Sequence, residues 1–200
     1  AFDLGVGAGS AFSGTLAVGN GTFMLGGVNT VELSNATLRA GVGSTVTVGS
    51  GEQAIGGLAI DGGTVIFDTG TPGETIAKGI IHTTNGMDLS GTGTVEVNIG
   101  SIDNNQTPVN PVLPIMEQDD ANALIQLAVS DVTVQGNGGN LVLKDHNGNV
   151  ITDATTADIA QNSTTVAKGT YDYRLSSGLN NDGLYIAYGL TEVELLGSGT

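Results

Sequence analysis

The chain has 200 residues, 33 of them glycine, with no cysteine, no tryptophan and four prolines. Twenty acidic residues stand against five basic ones (Arg39, Lys78, Lys144, Lys168 and Arg174), for a formal net charge of -15. Glycine at this level without a Gly-X-Y period excludes collagen, the abundant Val, Ile and Leu argue against a disordered chain, and the negative charge excludes nucleic acid as a partner and disfavours an anionic bilayer.

Without cysteine there are no disulfides, no thiol catalysis and no Cys-ligated zinc. No run approaches the roughly 20 apolar residues that span a bilayer. No signal peptide opens the chain, and Leu195-Leu196-Gly197-Ser198-Gly199-Thr200 breaks off in mid-pattern, so the sequence reads as a segment of a longer protein.

A degenerate repeat fills the first half. Its units pair Gly14–Val18 with Thr22–Leu25, Ala36–Ala40 with Thr45–Val48, and Gly57–Ile60 with Thr64–Phe67, with an echo at Gly93–Ile99. Corners rich in Gly, Asn and Asp separate the strands: Gly19-Asn20-Gly21, Gly41-Val42-Gly43-Ser44 and Asp61-Gly62-Gly63. Leu16, Leu38 and Leu58 lie 22 and 20 residues apart, close to one turn of a β-solenoid. Each strand is too short to bury itself alone, so units must stack, with Leu16, Val18, Leu38, Ala40, Leu58 and Ile60 inward and Thr and Asn outward. Leu38, Val46, Leu58 and Val65 are expected in one continuous core. The fold class expected is all-β: a right-handed parallel β-helix over residues 1–105, a Pro-containing connection over 106–120, and further β-helix turns with hairpin excursions over 121–200. The competing arrangement is an antiparallel sandwich in which Asn20-Gly21 closes a hairpin.

Thr69–Gly86 interrupts the repeat and reads as a long loop with a strand at Lys78–Ile81. Pro108, Pro111 and Pro114 make Asp103–Gln118 extended and poor at ladder pairing. Asp119–Asn122 ahead of Ala123–Leu127 fits a helix start, and the apolar spacing fits a strand almost as well. Val132–Val134 follows. Asp145-His146-Asn147-Gly148 is a hairpin turn between Asn140–Lys144 and Asn149–Thr152. Asp153–Ala160 reads as a helical turn. Tyr171–Leu175 and Gly183–Tyr188 flank a turn at Asn180-Asn181-Asp182, as a hairpin or as two sides of a corner.

Three stretches, Asp145–Ile151, Gly169–Leu175 and Asn181–Thr191, resemble the AIDA-type autotransporter passenger family, whose structural relative is the pertactin-like β-helix. The most specific run is Asp182-Gly183-Leu184-Tyr185-Ile186 with Tyr188-Gly189-Leu190. The resemblance covers residues 115–196 in motif and the remainder in repeat style. It implies a secreted passenger on the bacterial cell surface, anchored in the full-length protein by a C-terminal outer-membrane β-barrel. It further implies adhesion to a host receptor or glycan, self-association or biofilm formation, and, for a late segment, help in folding the passenger.

Candidate sites are few, and no catalytic residue, no metal ligand and no cofactor is expected. Asp145-His146-Asn147-Gly148-Asn149 superficially resembles a calcium loop, but Thr156 stands where the bidentate Glu belongs, and the nonapeptide calcium repeat is missing. His82 and His146, the two histidines, are too few for a metal cluster and are expected in exposed loops. Gly5, Gly7 and Gly9 alternate without the helix or Lys that a phosphate cradle needs. For a glycan lyase or hydrolase the candidate groups are Asp61 and Asp68, with Arg39 one layer below, although Asp61 can equally cap its turn. Tyr171, Tyr173, Tyr185 and Tyr188 are expected to close the C-terminal core rather than to stack on sugars. The function expected is a non-catalytic adhesive scaffold; a glycan-active β-helix enzyme and a phage-type fibre are the alternatives.

Overall fold

The computed structural model describes residues 12–68, 76–97, 123–151, 155–161 and 164–197. The fold is all-β, with two sheets fed alternately by the chain. β1 (Thr15–Val18), β3 (Thr37–Gly41), β5 (Gly51–Asp61), β7 (Ile76–Asp88) and β9 (Ala123–Ser130) lie side by side in one sheet. β2 (Thr22–Leu25), β4 (Thr45–Val48), β6 (Thr64–Phe67), β8 (Gly93–Val97) and β10 (Leu141–Asp145) form the other. Every pairing within these two series is parallel.

The register explains the repeat. Leu16, Leu38, Leu58 and Met87 are successive partners in the first sheet. Phe23, Val46, Val65, Val95 and Leu143 are successive partners in the second. Both rows point between the sheets and join one apolar core that contains Leu38, Val46, Leu58 and Val65. Only Leu16 and Val18, in the first strand, are half-buried. Threonines 22, 45, 64 and 94 make the matching outward row. Asn20-Gly21 closes no hairpin, because β1 pairs with β3 and β2 with β4. Asn20 takes a left-handed conformation (φ 47°) and turns the chain from one sheet to the other.

Beyond β9 the pattern changes. β13 (Gly183–Leu195) runs antiparallel to β9, then pairs antiparallel with β12 (Thr164–Ser176), which pairs antiparallel with β11 (Thr155–Gln161). The turn at Asn180–Asp182 therefore joins a long hairpin, not two sides of a corner. Among the described residues the larger sheet has eight strands and the smaller five.

Two local expectations need correction, and two stretches left open are settled. Lys78–Ile81 is the middle of a thirteen-residue strand, β7, whose partner β5 is extended below the repeat by Gly51–Ile55; this pairing, rather than a loop, occupies Ile76–Gly86. Residues 69–75 lie outside the described residues. Ala123–Leu127 is strand, because β7 and β13 pair with it from both sides; Asp119–Asn122 and the Pro-containing stretch lie outside the described residues. Thr155–Ala160 is strand, not a helical turn, since β12 supplies a complete ladder partner; 152–154 are not described. Val132–Val134 forms no ladder, although Val134 is buried.

One helix was not anticipated. α1 (Val28–Glu32) fills the passage from β2 to β3. Its β-branched residues have little helix propensity, so tertiary contacts hold it. Asn29 Nδ2 donates to the Met24 carbonyl at 2.9 Å, and Thr30 Oγ1 donates to Gln53 Oε1 at 2.5 Å.

Candidate functional site

Because Leu38, Ala40, Leu58, Ile60 and Met87 point inward, their neighbours line up on the outer face of the eight-stranded sheet. Thr15, Thr37, Gly57 and Gly86 form one outward row by register, and Ala17, Arg39, Ala59 and Asp88 the next. Two adjoining grooves of about 400 and 420 Å³ lie over these rows and share Thr37, Ala59 and Asp88. The groove floor depends on Gly57: a Cβ there would sit 2.7 Å from Thr37 Oγ1 and 3.3 Å from the Gly86 carbonyl oxygen.

The charged groups that line these grooves, Arg39, Asp61 and Asp88, are already engaged. Arg39 forms a half-exposed ion pair with Asp61, reaching diagonally across β3 and β5. Such exposed pairs contribute about 0–1 kcal/mol. Asp88 accepts hydrogen bonds from the Ser90 amide at 2.9 Å and the Ser90 hydroxyl at 2.6 Å, which caps the end of β7. Asp68 follows β6 of the other sheet and lies 3.6 Å from Lys78 Nζ. The structure thus joins Arg39 to Asp61, as the sequence placed them one layer apart, but it does not bring Asp61 and Asp68 together. Asp61 serves the ion pair rather than its own turn.

Asp145 likewise has a structural task. Its carboxylate accepts from the Asn147 amide at 2.9 Å, the Asn149 amide at 2.8 Å and Asn149 Nδ2 at 3.0 Å. Those bonds close the hairpin turn that carries exposed His146, with a single antiparallel bridge at Lys144 and Val150. Among the described residues no group of three or more His, Asp or Glu side chains is placed to hold a metal ion, and no helix is long and apolar enough to cross a membrane.

The tyrosines divide. Tyr173 is buried in the core. Tyr185 is half-buried and its hydroxyl donates to Asp182 at 2.9 Å; burial first, then that carboxylate, pushes its pKa up to about 12. The side chains of Tyr171 and Tyr188 lie outside the described residues.

His82 departs most from expectation. It stands on β7 rather than in a loop, and is 26% exposed. Its Nε2 lies 2.7 Å from Asp131 Oδ1 and its Nδ1 lies 3.2 Å from Glu52 Oε1. The hydrogen bond to Asp131, and then that to Glu52, raise its pKa above the ordinary 6.5. These partners are 30 and 49 residues away in sequence, and no local motif announces them.

No protein-family model matches the chain, and no solved structure matches it. Two Escherichia coli K12 proteins are similar to it. The uncharacterized protein YuaQ is 46% identical over 191 residues, covering 94% of this chain. The uncharacterized lipoprotein YdeK is 38% identical over 204 residues, again covering 94%. The chain spans 14% and 15% of the lengths of these relatives.

Proposed function

We propose that this chain is a right-handed parallel β-helix segment from the passenger of an AIDA-type autotransporter adhesin, acting as a non-catalytic scaffold on the bacterial surface. The observation that carries the reading is the in-register parallel stacking of two alternating strand series about one apolar core. That architecture makes a stiff support whose outward rows and turns are free to vary. The residues that resemble the passenger family, Gly169–Leu175 and Asn181–Thr191, fall on the β12–β13 hairpin that ends the parallel stack. Its partner would be a host receptor or glycan, or the same protein on a neighbouring cell, and the full-length protein would continue into an outer-membrane β-barrel. The similarity to a protein named a lipoprotein accords with an envelope location. The separate cations of Asp61 and Asp68 support a non-catalytic role, since glycoside hydrolysis needs two carboxylates facing one bond.

The test is to tag the exposed His146–Gly148 turn in the full-length protein and to treat intact cells with protease. Cleavage of the tag on intact cells, together with cell clumping that is lost when residues 12–197 are deleted, is the expected result. A tag that becomes accessible only after lysis would rule the reading out.

A further inference from the structure

We propose that His82 is a proton-operated clamp across the seam where the eight-stranded sheet changes from parallel to antiparallel pairing. The seam is the β7–β9 ladder, the last parallel pairing in that sheet. It is broken between Ile76 and Ile81, so that regular pairing is confined to Ile81, His82 and Thr83 opposite Ala128, Val129 and Ser130. His82 sits at its centre with both ring nitrogens engaged, Nδ1 by Glu52 of β5 and Nε2 by Asp131 just after β9. One side chain thus ties three successive strands together from outside.

The chemistry makes this tie depend on a proton. Ionised carboxylates only accept hydrogen bonds, and a neutral imidazole has one donor nitrogen and one acceptor. Only the imidazolium donates to both partners. In the neutral ring the shorter contact, Nε2 to Asp131, keeps the hydrogen, and Nδ1 then turns a lone pair toward Glu52. The charged groups facing the ring are Glu52 from β5 and Asp131 from the turn after β9. Its register neighbours, Ala54 and Val129, are uncharged. Lys78, four residues earlier on β7, is drawn to Asp68, and the Asp182 carboxylate beyond β9 accepts from Tyr185. The two carboxylates approach opposite ring nitrogens, so they do not converge on a common metal position.

The pKa of the folded form is raised, so the clamp's contribution to stability is complete below the ordinary value of 6.5 and fades as pH climbs through the raised value. The seam should therefore hold more tightly in mildly acidic than in alkaline solution.

The experiment uses the 200-residue chain. The ring-proton NMR signal of His82, assigned by its loss in His82→Gln, is titrated in the parent, in Asp131→Asn and in Glu52→Gln. A midpoint above 6.5 in the parent, lowered more by Asp131→Asn than by Glu52→Gln, is expected, in the order of the two causes. Thermal melting then compares the parent with His82→Gln: a difference of about 2 °C or more near pH 5 that shrinks by at least half near pH 8 is expected. Glu52→Gln supplies the reading that mere packing would not give, because an amide can donate to the neutral Nδ1. Its melting temperature should vary less with pH than that of the parent. A parent midpoint at or below 6.5, or a melting difference equal at the two pH values, overturns the clamp. If His82→Gln fails to fold, the titrations of the other two variants decide.

Discussion

The parallel and antiparallel parts of this molecule bury their apolar residues by different means. Between β1 and β8 each strand is four to thirteen residues long and hands its inward side chain to an equivalent one in the next layer, as Leu38 does to Leu58 and Val46 to Val65. No side chain there is special; the row is. Along the β12–β13 hairpin there is no such row. Leu184, Ile186, Tyr173 and Leu175 are individually placed on a hairpin, and its turn is fixed by Asn181, which donates through Nδ2 to the Val134 carbonyl at 3.0 Å. The first part is therefore a nearest-neighbour stack and the second a locally determined hairpin. Damage should spread differently in each.

The largest effect should come from placing a charge in the stack. Leu58 is 1% exposed, and Leu58→Asp buries a carboxylate without a partner, at a cost of more than about 4 kcal/mol. Hydrogen exchange should show lost protection in β3, β5 and β7 with the β12–β13 hairpin still protected. Uniform loss through both parts would show that they unfold as one.

Glycines in close backbone contact come next. A Cβ on Gly79 would collide with the Gly49 carbonyl in the parallel part, and one on Gly183 with the Ala128 carbonyl at the start of β13. Neither obstacle is a flexible side-chain end. Each glycine-to-alanine change should cost about 3 kcal/mol in denaturant unfolding. The comparison sharpens if Gly79→Ala spreads to adjacent layers while Gly183→Ala detaches only the hairpin from β9.

Asp145→Ala removes the acceptor of three hydrogen bonds at the turn after β10, and should cost about 2 kcal/mol by chemical denaturation. Since that carboxylate already serves amide groups, a calcium chelator should leave the melting temperature of the parent unchanged at fixed ionic strength. A fall of several degrees would return the turn to the list of cation sites.

The smallest effect has the opposite sign. Thr83 is fully buried on β7, and its hydroxyl has no hydrogen-bond partner among the described residues. Thr83→Val keeps the shape and removes the unsatisfied group, so it should stabilise the protein by about 1 kcal/mol. A destabilised variant would mean that the hydroxyl has a partner in solution.

What could be read from the sequence follows the same division. The spacing of Leu16, Leu38 and Leu58 revealed the stack because identical environments repeat and leave a repeated residue type. The Asn180–Asp182 turn was legible because turn chemistry is local. β9 was ambiguous, since Ala123–Leu127 satisfies either period and its strand partners, β7 and β13, lie far away in sequence. α1 was hidden because Val28, Thr30 and Val31 belong to types that prefer strands, and only contacts such as Thr30 to Gln53 reverse that preference. Of the candidate groups, Arg39 and Asp61 were placed correctly one layer apart. His82 was not, because its role arises from Glu52 and Asp131, which no fixed spacing links to it.

The ladder direction also has a mechanical consequence. In the parallel part the backbone hydrogen bonds between β1, β3, β5 and β7 run along the stacking direction. A pull along that direction loads those ladders in series, so the least firmly held layer opens first and the stack lengthens stepwise. A pull along the strands, such as one applied to the opposite ends of β3 and β5, instead loads the rungs of their ladder together in shear. The same set of bonds is therefore compliant on one axis and stiff on the other, and stretching single molecules from differently placed pairs of attachment points should give markedly different rupture forces.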